Sequence, residues 1–506
     1  MTDNIVENIL KERYYQPGES SWSDIAKRVA KYVSNDIDEF DDFYEVINEK
    51  KFIPNSPCLM NAGTENPMLF ACFVLDVPDD MQGIGNTLTN AMCIQAKGGG
   101  TGFYFGNLRP KGALVKSTNG IASGPVSFLK AYDAMTNVIL QGGRRRGANM
   151  GSLSIWHPDI REFITCKHKE GDISNFNISV LINNEFMNNP NKEILDLIVD
   201  GMWKNGEPGL QFFENINSNN PTPELGDVYG SNPCSETFLY PNESCVLGSF
   251  DVSKYYDPIT NDLDYKTMET DIYTAVRFLD SCIDKNMYPT KDIEIATKKT
   301  RKIGLGIMGF ADLLIMMGVK YGSDKCIQYI HKMMEWFDKT SIQASENLAK
   351  QKGPLDITTT WKNPMRNALV TLIAPTGSIS LFANCSSGIE PNFAYVYNRS
   401  TWVDGKKKTY RRLHPLFMES INSFQNKEQI IEWMINNGTI QNCPFVDDNV
   451  KSVFLTTKDI TWQEHVDVLS SFQAHIHNSI SKTINCPNNT TKEDIKDCIF
   501  RAWKSG

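Results

Sequence analysis

From Lys51 onward, short apolar runs alternate with longer segments of helical period, and this alternation constrains the fold more than any other feature. The runs Ala71–Leu75 (ACFVL), Phe103–Leu108, Asn177–Ile182 (NISVLI) and Ala368–Ile373 (ALVTLI) have strand length. Val126–Leu140 (VSFLKAYDAMTNVIL) instead has helical spacing. Strands alternating with helices predict a mostly parallel, helix-covered α/β sheet. At 506 residues the chain suits three average domains or one large α/β barrel with insertions. No 20–50-residue repeat, low-complexity tract or linker divides it, so one barrel over 51–506 is the simplest account. Residues 1–50 read as a helical preface. In Ser21–Ser34 (SWSDIAKRVAKYVS), Ile25, Val29 and Val33 recur at i, i+4, i+8 behind Ser and Asp start signals.

Composition removes several classes. Apolar residues make up 41% and charged residues 22%, enough for a sizeable core and against global disorder. The net charge of −9 makes the chain a poor candidate for wrapping a nucleic-acid backbone. The opening MTDNIVENILKERYY offers no apolar signal core. The longest apolar stretch, near Ala311–Val319, is far short of the ~20 residues that span a bilayer. A cytoplasmic location is therefore expected, with no membrane partner. The 12 cysteines are then expected as thiols, and no C-x-x-C pair supports a zinc ribbon.

Four loops carry the candidate chemistry. Lys97–Gly102 (KGGGTG) reads either as a backbone cradle for phosphates or as a tight turn, and is not a Walker A loop. Gln141–Met150 (QGGRRRGANM) is either a solvated charge run or a ligand-responsive loop, since arginine forks suit phosphates and nucleobase carbonyls. In Asn232-Pro233-Cys234-Ser235-Glu236, an amide, a thiol and a carboxylate sit at i, i+2, i+4, on one face of an extended segment. A neighbouring carboxylate disfavours a thiolate nucleophile and suits a neutral S–H that gives up a hydrogen atom. The plainer reading is a structural cysteine in a turn. Ala374–Ser380 (APTGSIS), followed by Cys385–Pro391 (CSSGIEP), is either a phosphate nest at the carboxyl end of a strand or a surface turn. Gly304–Gly309 (GLGIMG) matches a dinucleotide fingerprint, but no strand is evident before it, and close helix packing is expected instead.

Taken in order, PNSPCLMNAG (54–63), ACFVL (71–75), KGGGTGF (97–103), NLRPKGA (107–113), STNGIASGPVSF (117–128), QGGRRRGANMG (141–151), NPCSE (232–236), ESCVLGS (243–249), APTGSISL (374–381) and SSGIEP (386–391) resemble the motifs of ribonucleotide reductase catalytic subunits. The resemblance is strongest to the class II, adenosylcobalamin-dependent branch. It implies a ten-stranded α/β barrel with a central finger loop that presents Cys234, and conversion of ribonucleotides to 2′-deoxyribonucleotides. Cys234 is then the thiyl-radical site, Glu236 the base on the 3′-hydroxyl, and Asn232 a partner of the ribose hydroxyls. Cys72 and Cys245 match the reducing pair. Ser56, Ala71, Pro375, Thr376, Gly377, Ser378, Ile379 and Ser380 match substrate-binding positions. Asp79 and Arg109 match contacts to a deoxynucleoside triphosphate effector, and the loop holding Gln141 and Arg145 matches the specificity loop, within an effector and dimer region about 72–150.

The same resemblance implies adenosylcobalamin as cofactor, a thioredoxin- or glutaredoxin-type dithiol reductant, a homodimer and a diphosphate substrate. The short N-terminus suggests no ATP cone. The chain stops at Trp503–Gly506, where the family pattern continues into a last strand and a cysteine-bearing tail, so a separate fragment carrying these is a further expectation. Two alternatives stand beside this reading. In one, a ferritin-like metal subunit supplies the radical, although the adjacent tyrosines Tyr14-Tyr15 and Tyr255-Tyr256 do not lie at the family's relay position. In the other, the chain is a non-catalytic nucleotide-binding fragment.

Overall fold

Three helices, α1 (Asp3–Arg13), α2 (Trp22–Val33) and α3 (Ile37–Asn48), open the chain in a computed structural model that describes residues 3–115, 119–139, 147–169, 171–403 and 406–506. Ser21 caps α2 in a reciprocal capping box with Asp24, which satisfies two otherwise orphaned amides. The face of α2 carrying Ile25, Val29 and Val33 is fully buried, as the spacing predicts. Burying each such side chain stabilises by roughly 1.5–3 kcal/mol. Just beyond α1, the buried Tyr14 hydroxyl lies 2.9 Å from Ser56 Oγ, so the helical preface reaches the loop region that follows.

The sheet is built from β1 (Phe52–Pro54), β2 (Cys72–Leu75), β3 (Gly100–Tyr104), β4 (Asn149–Ser154), β5 (Phe176–Ile182) and β6 (Gly209–Phe212). Later in the chain come the short strands β7 (Gly230–Ser231) and β8 (Phe238–Leu239), then β9 (Ser244–Asp251) and β10 (Ile303–Met308). Strands β2 to β6 run parallel in sequence order, joined by helical crossovers such as α4 (Met81–Gln95) and α5 (Pro125–Val138). β9 pairs antiparallel with β1 and β2, and parallel with β10. Parallel bridges Leu305↔Thr371 and Ile373↔Ile480 carry the curled sheet further. It is therefore two parallel arrays meeting antiparallel at β2–β9. The rings of Phe103 on β3 and Tyr132 on α5 meet edge to face at 5.0 Å, which seats α5 on the sheet.

Two sequence expectations shift. The strand expected over Phe103–Leu108 runs from Gly100 to Tyr104 and passes into a 3₁₀ turn, because glycines hid its start. Gly304–Gly309 is not helix packing: its first five residues lie in the buried strand β10. A Cβ on Gly306 would stand 2.3 Å from the Leu372 carbonyl oxygen, so the glycine permits close strand approach. The run Ala368–Ile373 forms no full strand and joins the sheet through the bridges at Thr371 and Ile373 and through Ile303 N–H to the Leu369 carbonyl (3.0 Å).

Candidate active site

The antiparallel pair β7–β8 is a narrow finger that passes through the curled sheet and bears Asn232–Thr237 at its tip. The tip is closed by Asn232 N–H to the Thr237 carbonyl (3.1 Å) and by Thr237 N–H to Asn232 Oδ1 (3.2 Å). Ser235 takes a left-handed conformation (φ +59°), which costs a side-chain-bearing residue about 1–2 kcal/mol and is sustained by the surrounding bonds. The finger fits only because β3 is glycine-rich where it passes. A Cβ on Gly102 would lie 1.7 Å from the Ser231 carbonyl oxygen, and one on Gly100 would lie 2.9 Å from Pro233.

The surrounding strands then hold it. Gln211 on β6 accepts from Ser152 Oγ (3.1 Å) and donates to Ser231 Oγ (2.8 Å). Asn177 on β5 donates to the Pro233 carbonyl (2.8 Å). On the other side, Asn478 Oδ1 accepts from Phe238 N–H (2.8 Å), Asn478 Nδ2 donates to Thr237 Oγ1 (3.2 Å), and Ser479 N–H donates to the Glu236 carbonyl (3.2 Å). Gln211, Asn177, Asn478 and Thr237 were not picked out from the sequence because the bonds that hold the finger form only in the folded chain.

Beneath the tip lies a cavity of about 300 Å³. Asn232, Cys234 and Glu236 line it, and so do Ser56, Ala71, Cys72, Gly98–Gly100 and Pro375–Ile379. Of the predicted substrate-binding residues only Ser380 falls outside, lining a neighbouring cavity of about 440 Å³. Cys234 is exposed while Asn232 and Glu236 are buried. Asn232 Nδ2 donates to Cys72 Sγ at 3.0 Å, and the Cys72 thiol points at Glu236 Oε1, 3.8 Å away. Cys245 does not line the cavity. It is the direct cross-strand partner of Cys72 at the β2–β9 join, within reach of disulfide geometry. Burial pushes the Cys72 thiol well above the usual thiol range, with Glu236 adding to the rise and Asn232 opposing it. Burial likewise raises the Cys245 thiol to about 12. Both are neutral thiols at physiological pH.

The loop after Ile373 is shaped by its hydroxyls. Thr376 sits at φ +54°, its Oγ1 accepts from Gly388 N–H (2.7 Å), and Ser387 Oγ donates to the Pro375 carbonyl (2.6 Å). Asp312, another residue missed in the sequence, anchors this brace by accepting from Ser386 N–H (2.9 Å). Away from the cavity, Asp79 and Arg109 come together, the guanidinium Nε donating to Asp79 Oδ2 at 2.7 Å with each side chain about one-third exposed. Gln141 and Arg145 lie outside the described residues.

A curled α/β sheet threaded by a finger that presents a thiol beside an amide and a carboxylate, with a cross-strand thiol pair alongside, defines a ribonucleotide reductase barrel. The family model for the ribonucleotide reductase barrel domain matches residues 70–192, 188–363 and 357–506, and that for the all-alpha domain matches 2–67. The chain belongs to the ribonucleotide reductase family. Over 481 residues it is 42% identical to the vitamin B12-dependent ribonucleoside-diphosphate reductase of Thermoplasma acidophilum, covering 90% of this chain and 62% of that protein. It is 35% identical over 540 residues to the enzyme of the same description from Mycobacterium tuberculosis (strain CDC 1551 / Oshkosh), covering 98% of this chain and 77% of the relative. The Actinobacillus ureae class Id ribonucleotide reductase alpha subunit shares the fold, with a TM-score of 0.85 at 23% identity over 100% of this chain and 95% of its own.

Proposed function

We propose that this chain reduces ribonucleoside diphosphates to 2′-deoxyribonucleotides by thiyl-radical chemistry at Cys234. The observation that carries this reading is the finger tip, where Cys234 opens onto the cavity beside buried Asn232 and Glu236, with the Cys72–Cys245 pair adjacent. Cys234 takes the ribose 3′-hydrogen, Glu236 accepts the 3′-hydroxyl proton, and Asn232 hydrogen-bonds the ribose hydroxyls. The 2′-hydroxyl leaves as water, and Cys72 and Cys245 give up two electrons and two protons to become a disulfide. Ser56, Ala71 and the Pro375–Ser380 loop hold the phosphates and ribose.

Adenosylcobalamin fits the site as a radical source, because Cys234 is exposed at the finger tip and reachable from outside, while Asn232 and Glu236 beside it are buried along the cavity. The Gly98–Gly100 loop, which lines the same cavity, would face it. When bound, the cofactor supplies one-electron chemistry by homolysis of its cobalt–carbon bond. The names of the relatives support both this cofactor and the diphosphate substrate.

Residues 1–50 are the helical preface and 51–506 the barrel unit, with about 72–150 serving effector binding and dimerisation. A deoxynucleoside triphosphate binds at Asp79 and Arg109 and acts through Gln141 and Arg145, and α5 pairs with its mate in a homodimer. A thioredoxin- or glutaredoxin-type dithiol is the reductant, and the location is cytoplasmic; no helix among the described residues is long and apolar enough to cross a membrane.

The test is turnover of a ribonucleoside diphosphate with added dithiol, with and without adenosylcobalamin. Deoxynucleotide formed only with the cofactor is the expected result. Product formed only with a ferritin-like metal subunit would transfer the radical source, and no product under any condition would leave a nucleotide-binding fragment.

A further inference from the structure

The two sulfurs of the reducing pair have unlike surroundings. Cys72 lines the substrate cavity, whereas Cys245 lies behind it, on β9. Lys302 immediately precedes β10, one step before the Val246↔Ile303 pair, so it stands beside Cys245 in the parallel ladder. Its ammonium is buried, 2.7 Å from Glu243 Oε2 and 4.4 Å from the centre of the Tyr240 ring. Thr237, at the base of the finger tip, accepts from Asn478 Nδ2, which leaves its own O–H to donate to Cys245. The charged groups facing Cys245 are Lys302, Glu236 and Glu243.

We propose that Lys302 and Thr237 make Cys245 the leaving sulfur when the Cys72–Cys245 disulfide is re-reduced, so that the incoming dithiol bonds first to Cys72. This rests on the reading above that the two cysteines are the redox pair. One thiolate of the external dithiol attacks Cys72 Sγ through the substrate cavity. The S–S bond breaks, and its electron pair stays on Cys245 as a thiolate that accepts the Thr237 O–H bond and faces the Lys302 ammonium. The second thiol of the reductant, deprotonated, then attacks its own sulfur in the mixed disulfide. The reductant leaves as a disulfide, and Cys72 and Cys245 each take up a proton. A thiol whose thiolate is better stabilised leaves faster, and that decides which sulfur departs. Burial raises both thiols, but Thr237 and Lys302 work against the rise at Cys245, where Asn232 alone does so at Cys72.

The experiment uses the full chain oxidised by one turnover without reductant. Brief treatment with 2-mercaptoethanol, acid quench, alkylation and peptide mass spectrometry should find the mixed disulfide on Cys72 and the alkyl group on Cys245. The reverse pattern overturns the proposal. Absence of any Cys72–Cys245 disulfide after turnover overturns the redox-pair reading and this proposal together, so the two failures are told apart. Lys302→Gln should slow reduction by dithiothreitol about tenfold. Lys302→Arg should restore most of the rate, since the cavity of about 450 Å³ that Lys302 also lines leaves room for the longer cation. Equal rates for Lys302→Gln and the parent chain would remove Lys302 from the argument. Should Lys302→Gln fail to fold, Thr237→Val gives the same rate test, and the mapping on the unmodified chain needs no variant.

Discussion

Cys234, Cys72 and Cys245 carry the same thiol, yet the fold gives them three different situations: exposed at a loop tip, buried at a cavity wall, and buried behind that wall. Cys234→Ser is expected to lower turnover at least ~10³-fold while leaving nucleotide affinity intact, because a hydroxyl holds its hydrogen too strongly for radical exchange. Steady-state assays beside equilibrium binding check this, and ordinary activity would remove the thiyl assignment. Cys72→Ser and Cys245→Ser should each allow 3′-hydrogen exchange but stop repeated turnover. Rapid-quench product counts check it, and normal cycling would return both residues to the core. These residues were legible in the sequence because each sits in a short dense motif. Lys302, Asn478 and Asp312 were not, since each acts through partners 59 to 241 positions away that only the folded sheet brings near. Their local sequence carries no signal of that meeting.

Among elements, the finger depends most on its neighbours. Gly102→Ala would press a methyl group into the Ser231 carbonyl. The expected cost is about 3 kcal/mol or more, or a displaced and inactive finger. Thermal unfolding and kcat together report which, and an unchanged variant would mean the passage is looser than described. The segment after Ile480 is a second brace. Lys482 Nζ donates to Glu390 Oε2 (2.5 Å) and to His465 Nδ1 (3.0 Å). Burial, aided by Lys482, lowers the His465 pKa from 6.5 to about 3. A depressed histidine stays neutral when folded, so its contribution is present above pH 6.5 and is lost as pH falls toward about 3. His465→Asn should flatten the stability curve across that window, as pH-dependent denaturant melts would register. The strands β2 and β5 and the helices α2 and α5 were readable by period, whereas β1, β4 and β6 to β9 were not read at all. β3, whose start was misplaced, and β10, which was not expected as a strand, are glycine-interrupted and short, where period alone does not separate strand from helix.

For the molecule as a whole, the proposed effector and dimer region implies communication between Asp79–Arg109 and the substrate base. Substrate ranking among four ribonucleotides should change with the bound deoxynucleoside triphosphate by roughly 5–150-fold, the ordinary size of such coupling. Arg145→Ala should weaken that change without abolishing basal turnover. A parent chain whose ranking ignores every effector would leave only the catalytic reading.

The β2–β9 join has a mechanical consequence. It is where the two parallel arrays meet, and Cys72 faces Cys245 across it. Oxidation there would tie off a loop of about 170 residues, and a cross-link of that span can favour the folded chain by about 5 kcal/mol in the chain-entropy account. Each catalytic cycle would then rivet the barrel shut along its seam and unrivet it again. The spent enzyme would be the sturdier form, and the one ready for work the more fragile.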